Sequence, residues 1–248
     1  MRNPLSILLA TSLLFAGCAS TSAPVPSSAP QPTPDPSATQ ETEASADGVR
    51  GSDACVVGEV KEFHRFAYPR VVAQVAELGR RHLEDELARG VVGRPAMVLD
   101  IDETSLSNWE YLASALCAPV SEFDEFAALG VSPALEPVLD LYRWAVERGV
   151  TVFFVTGRRE WMREPTERNL REAGFTSYGD VFLRPTEEQG SWHNYKEEAR
   201  KTLTDAGYDV LLNMGDQPAD LAGGYARHSL LIPNPFYVVT PRDFGDDE

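Results

Sequence analysis

Apolar residues recur along this chain with two different periods, and each change of period marks a new element. Over residues 56–88 the period is helical, with Val71, Val72, Val75, Leu78, Leu83 and Leu87 forming the apolar stripe. Pro69 places either a break or a second helix start after Tyr68, and Gly90 closes the stretch as a C-terminal cap. Residues 96–99 are an unbroken apolar run, the pattern of a strand buried on both faces. Residues 108–130 mix aromatic, acidic and small side chains without a clean period, so 105–131 reads as a small cap or substrate loop.

Ser132-Pro133 is expected to start the next helix, with Leu135, Val138, Leu139, Tyr142, Ala145 and Val146 as its stripe and Gly149 as its stop. A second buried strand follows over 150–155, then a helix over 165–173, a strand over 180–183 and a helix over 194–206. Strands over 210–214 and 229–232 complete the pattern. This alternation predicts an α/β fold, a Rossmann-like parallel sheet with helices on both faces, together with a small cap and an N-terminal helical segment.

The termini behave differently. Arg2 and the apolar run 5–15, too short to span a bilayer, read as a secretory signal peptide. Phe15-Ala16-Gly17-Cys18 resembles the lipobox of bacterial lipoproteins, with Phe15 where Leu is usual. That resemblance implies lipidation at Cys18 and a place in the bacterial cell envelope, and an ordinary signal peptide with an incidental cysteine is the alternative. Residues 20–47 are rich in Pro, Ser, Thr and Ala and bury too little apolar surface to offset their ordering entropy. The expected organisation is a leader over 1–18, a tether over 19–50, one folded domain over 51–242 and an acidic tail over 243–248.

A formal net charge of −16 removes the basic footprint that a nucleic-acid backbone requires, so no nucleic-acid polymer is expected as partner. An anionic substrate must then be drawn in by local positive charge. With Cys18 assigned to a lipid, Cys55 and Cys117 remain as an even pair in an exported, disulfide-permissive compartment. A bridge between them would contribute about 4 kcal/mol in the chain-entropy model, and two separate buried thiols are the alternative.

In an open parallel sheet, ligands bind beyond the carboxyl ends of the strands. Asp100 and Asp102 stand at the exit of the first strand and, since side chains alternate along a strand, are expected to project from the same face, close enough to share a cation or a proton. Thr156 follows the second strand, Asp216 follows the fourth, and Lys196 lies near the start of the helix after the third. Asp or Thr at a strand exit can be no more than a helix cap, but together these residues describe one pocket. Clustered carboxylates suit a hard cation such as Mg²⁺. A hydroxyl and an ammonium suit a phosphoryl group, which one carboxylate can attack while its neighbour handles the proton.

Asp100-Ile101-Asp102-Glu103-Thr104, Thr156-Gly157-Arg158, Lys196 and Gly215-Asp216-Gln217-Pro218-Ala219-Asp220 resemble the four ordered motifs of the haloacid dehalogenase (HAD) superfamily. Leu106-Ser107-Asn108, the Ser-Trp before Lys196 and the closing Pro-Asn-Pro-Phe-Tyr resemble its acid phosphatase branch, subfamily IIIB, with plant acid phosphatases and vegetative storage proteins among its members. The resemblance implies that Asp100 is the nucleophile that becomes an aspartyl phosphate. It implies that Asp102 is the general acid and then the base for water. Mg²⁺ would be held by Asp100, Asp216 and the main-chain carbonyl of Asp102, with Asp220 supporting that shell, and Thr156, the Gly157 amide and Lys196 would hold the phosphate. Ser105 stands where many relatives carry an apolar residue.

Trp109, Tyr111 and Trp192 are candidates for stacking on a nucleoside base or aromatic leaving group, with core packing as the alternative. Arg158, Arg159, Arg163 and Arg184 are candidates for attracting phosphate, with most expected to be solvated or paired with glutamates, and His64 and His82 are expected to be surface or packed residues. The expected function is a Mg²⁺-dependent acid phosphatase of small phosphomonoesters. A phosphotransferase would use the same residues, and a catalytically inert surface binding or storage lipoprotein would require the pocket to be inert. A receiver domain would place its phosphorylated Asp on a later strand, and a glycosyltransferase would leave Thr156 and Lys196 unexplained.

Overall fold

The computed structural model describes residues 52–115, 123–185 and 192–237. The leader, the tether, the acidic tail, Cys18 and Cys117 lie outside the described residues, and so does any bridge from Cys117 to Cys55.

Helices α1 (Ser52–Phe66) and α2 (Tyr68–Arg89) come first, with Pro69 in the opening turn of α2, where its missing N–H costs nothing. Five strands follow: β1 (Arg94–Leu99), β2 (Thr151–Arg159), β3 (Asp180–Arg184), β4 (Tyr208–Gly215) and β5 (His228–Leu231). They form one parallel sheet in the order β3-β2-β1-β4-β5, which places β1 at its centre. Between β1 and β2 lie α3 (Trp109–Ala115), α4 (Phe123–Leu129) and α5 (Glu136–Glu147). Helix α6 (Arg163–Glu172) links β2 to β3, α7 (Trp192–Asp205) links β3 to β4, and the short α8 (Pro218–Leu221) precedes β5.

The unbroken apolar character of the central strands is explained by their having a core on each face. Met97 and Leu99 of β1 and Val152 and Phe154 of β2 pack with Val72 and Leu83 of α2 and Leu139 and Tyr142 of α5. The alternate residues Ala96, Val98, Phe153 and Val155 pack with Ala199 and Leu203 of α7. Gly79 lets α2 come close: a Cβ there would lie 3.0 Å from Leu212 Cδ2 and 3.2 Å from Leu141 Cδ2.

Three expectations need correction. The helix after Ser132-Pro133 begins at Glu136, and Pro137 is the proline in its first turn. Residues 133–135 are held instead by the loop after β1: Ser107 N–H donates to Pro133 O at 2.8 Å and Leu135 N–H to Ser105 O at 3.0 Å. The region 105–131 is also more regular than its composition predicts, since it contains α3 and α4. The second strand runs on through Thr156-Gly157-Arg158-Arg159, with a register irregularity between Thr156 and Arg159.

Candidate active site

The site lies at the carboxyl end of the sheet. Asp100 continues the parity of Ala96 and Val98, which face α7. Lys196 lies three residues before Ala199 and seven before Leu203, so it shares their helix face, and its Nζ reaches Asp100 Oδ1 at 2.6 Å. The same ammonium contacts Asp220 Oδ1. Asp220 also caps α8, its Oδ2 accepting the Gln217 N–H at 2.8 Å. Gly215 is required here, because a Cβ would overlap the Cβ and carboxylate of Asp220. Asp216, the next residue, has Oδ2 bonded by Gln217 Nε2 at 2.6 Å and by Asn234 Nδ2 at 2.6 Å.

Asp102 takes a different course. Ile101 turns into the core, and the chain folds back as Thr104, Ser105 and Leu106 donate to Ile101 O. Glu103 adopts a left-handed φ of 53° in this turn, strained for a residue with a Cβ. The Asp102 carboxylate meets Arg158, with Nη2 to Oδ1 at 2.7 Å and Nε to Oδ2 at 3.1 Å, and Asn108 Nδ2 to Oδ1 at 2.9 Å. The two aspartates of the motif therefore have separate cationic partners instead of sharing one. The irregularity after Thr156 re-aims the β2 backbone and coincides with this placement of Arg158.

Arg158 thus departs from the expectation of a solvated or glutamate-paired arginine: it is buried and clamps Asp102. Arg163 does pair with glutamates, Glu160 and Glu167, and Arg184 is buried. Thr156 is buried, its Oγ1 accepting the Arg158 N–H at 3.1 Å, and Gly157 has open space where a Cβ would stand. Ser105 is buried and donates to Asp100 O at 2.6 Å, which satisfies its hydroxyl in an otherwise apolar position.

Burial dominates the electrostatics. It pushes Asp100 well above the usual carboxylate range, with Lys196 opposing and Asp220, Asp216 and Asp102 adding. Burial likewise raises Asp216 to about 7, reinforced by Asp220. Glu103 is raised to about 8 by burial, against hydrogen bonds from Asn108. Burial works against the Lys196 ammonium, but Asp100 and Asp220 outweigh it and hold the charge. Burial also keeps the Tyr237 phenol protonated, aided by Asp216, Glu103, Asp102 and Asp100.

Asp100, Asp216 and Asp220 each offer a carboxylate oxygen within 4.8 Å of the others, so these three could hold a metal ion. The donors are all hard oxygens and the cluster carries more negative charge than Lys196 answers, which fits a divalent cation of the Mg²⁺ type. The Asp102 side chain is not in that group, while Asp220, expected behind the shell, is. Asn108, Glu103 and Asn234 are polar partners that reading by motif did not assign, although all three stood in the quoted Leu-Ser-Asn, Asp-Ile-Asp-Glu-Thr and Pro-Asn-Pro stretches.

The aromatic candidates divide. Trp109 stacks on His64 with ring centroids 3.6 Å apart and also contacts Phe236, so one face is occupied. Tyr111 packs on Phe126 and Phe123 within the α3–α4 insertion. Trp192 opens α7, with its side chain outside the described set.

The family model that matches residues 53–240 describes the HAD superfamily, subfamily IIIB (acid phosphatase). Acid phosphatase 1 of Solanum lycopersicum is 35% identical over 153 residues, covering 59% of this chain and 60% of that protein. The stem 28 kDa glycoprotein of Glycine max is 30% identical over 199 residues, covering 75% and 76%. Vegetative storage protein 1 of Arabidopsis thaliana is 29% identical over 147 residues, covering 57% and 54%. Among solved structures, the class C acid phosphatase from Bacillus anthracis with tungstate bound shares the fold, with a TM-score of 0.65 at 21% identity over 77% of this chain and 87% of that one. The ordered site at the sheet's carboxyl end and the match across residues 53–240 agree: this chain belongs to the HAD superfamily, subfamily IIIB, the acid phosphatases.

Proposed function

We propose that this protein is an acid phosphatase that hydrolyses small phosphomonoesters through an aspartyl-phosphate intermediate. The observation that carries the reading is the division of labour between two aspartates two residues apart. Asp100 is buried against Lys196, and Asp102 is held apart from it by Arg158. Asp100 attacks phosphorus and the ester P–O bond breaks, while Asp102 passes its proton to the departing oxygen. Asp102 then takes a proton from water, the water oxygen attacks phosphorus, and the bond to Asp100 breaks to release inorganic phosphate. Thr156, the Gly157 amide and Lys196 bind the phosphoryl oxygens and stabilise their developing charge.

Mg²⁺ is the proposed cation, held by Asp100, Asp216 and the Asp102 carbonyl with Asp220 in support; when bound it neutralises charge on the phosphoryl oxygens. Nucleotides and aromatic phosphates are the proposed substrates, with Trp109 and Trp192 as the stacking candidates. The relatives named as storage proteins raise an inert pocket as the competing reading, and retention of Asp100 supports activity. Export and anchoring through Cys18 are proposed from residues 1–18. Incorporation of a labelled fatty acid that disappears in Cys18→Ser would support the anchor, and unchanged labelling would remove it.

The test is hydrolysis of p-nitrophenyl phosphate near pH 5, with Mg²⁺ or excess chelator, beside Asp100→Asn. Metal-dependent turnover that the variant lacks is expected. No turnover by folded wild type across pH and divalent metals would overturn the reading in favour of a binding or storage protein.

A further inference from the structure

Asp102 has a second partner besides Arg158. Asn108 Nδ2 donates to Asp102 Oδ1 and to Glu103 Oε2, each at 2.9 Å, and Asn108 Oδ1 accepts the hydroxyl of Ser132 at 2.7 Å. The orientation of this amide is fixed by chemistry, since turning it over would set its oxygen against two carboxylate oxygens. Both Nδ2 hydrogens are thereby used, and Asn108 is buried. Its backbone N–H is also committed, to Glu103 Oε1 at 2.6 Å.

The consequence falls on the two oxygens of Asp102. Oδ1 faces Asn108 Nδ2, Arg158 Nη2 at 2.7 Å and Arg158 Nε at 3.2 Å, whereas among the described residues Oδ2 has a single hydrogen-bond contact, with Arg158 Nε at 3.1 Å. An oxygen surrounded by three donors has no lone pair to spare for a proton. Oδ2 is therefore the oxygen through which Asp102 can deliver one.

Ser132 adds a mechanical link. Asn169 of α6 grips its backbone, with Nδ2 to Ser132 O at 2.7 Å and Ser132 N–H to Oδ1 at 3.2 Å. Asn108 immediately precedes α3 and Ser132 follows α4, so their contact closes the base of the α3–α4 insertion onto the acid.

We infer that Asn108 is a positioning residue for Asp102: its amide, set by the Ser132 hydroxyl, locks Oδ1 and leaves Oδ2 to serve the leaving group. The inference rests on the phosphatase reading above. A side chain that merely supported the fold would affect all substrates alike. One that aims the acid matters most where the departing oxygen needs a proton.

The experiment compares kcat/KM of the full protein for an alkyl phosphate, whose alkoxide needs a proton, and for p-nitrophenyl phosphate, whose phenolate leaves without one. Asn108→Ala is expected to lose about tenfold more on the alkyl phosphate, a fraction of what a general acid supplies. Ser132→Ala, which keeps Asn108, should show the same discrimination in smaller degree, and it carries the test alone if Asn108→Ala does not fold. Equal losses on both substrates overturn the inference while leaving the phosphatase standing. Turnover of neither substrate by the wild type sinks both.

Discussion

Replacing Lys196 by Met removes the ammonium that Asp100 and Asp220 share while keeping an unbranched stem of similar length. In the wild type its Nζ lies 2.6 Å from Asp100 Oδ1 and also contacts Asp220 Oδ1, and all three side chains are buried. With charge centres about 4 Å apart and an effective dielectric of ~20, each pair is worth about 4 kcal/mol. Desolvation of the ammonium, several kcal/mol, offsets part of the sum. Breaking a buried pair by removing one partner costs about 3–5 kcal/mol, which for a domain of this size lowers the melting temperature on the order of 10 °C.

The loss should depend on pH, with a definite sign. Lys196 itself remains charged from pH 5 to 8, so its pull on the neighbouring carboxyls is present through that window. In the variant, Asp100, already raised by burial, loses the opposing charge of Lys196, rises further and holds a proton in the folded state that the unfolded chain has released. Stability of the variant therefore falls as pH rises from 5 to 8, and its deficit is larger at pH 8. The assay is urea unfolding of both proteins in chelator at the two pH values. A deficit under about 1 kcal/mol at pH 8, well below the cost of a broken buried pair, or one equal at both pH values, would refute the reasoning.

Gly215→Ala should cost about 1–3 kcal/mol through overpacking and displace Asp220, so that thermal stability and turnover fall together. Arg158→Lys keeps the charge but loses the fork on Asp102; a stability loss of about 1.5–3 kcal/mol by denaturant titration is expected, with a larger proportional fall in kcat. Away from the site, hydrogen bonds from Arg227 and His228 hold the Glu86 carboxyl down to about 2. Its contribution is present above its unfolded value of 4.5 and lost as pH falls toward 2. Melting curves should thus show a steeper acid loss for wild type than for Glu86→Gln over that range.

The sequence by itself determined the α/β class, because apolar runs of strand length alternating with helical stripes are compatible with little else than a parallel sheet covered on both faces. It also placed the chemistry: Asp100, Thr156 and Asp216 are each at or near the end of a strand, Lys196 is near the start of the helix after β3, and parallel strands carry those ends to one edge. Two residues apart on a continuing strand, Asp100 and Asp102 would have shared a partner. Tertiary structure decided otherwise, since the turn through Glu103 at φ 53° gives Asp100 to Lys196 and Asp102 to Arg158. No local pattern encodes such a turn, because its strain is held by contacts distant in sequence, the Tyr68 hydroxyl on Glu103 O at 3.2 Å among them. The Asn108–Ser132 clasp and the Asn234 bond to Asp216 are of the same kind. Periodicity reports which face of an element is buried, whereas partners from different elements are chosen only when the chain has folded and every buried donor must find an acceptor.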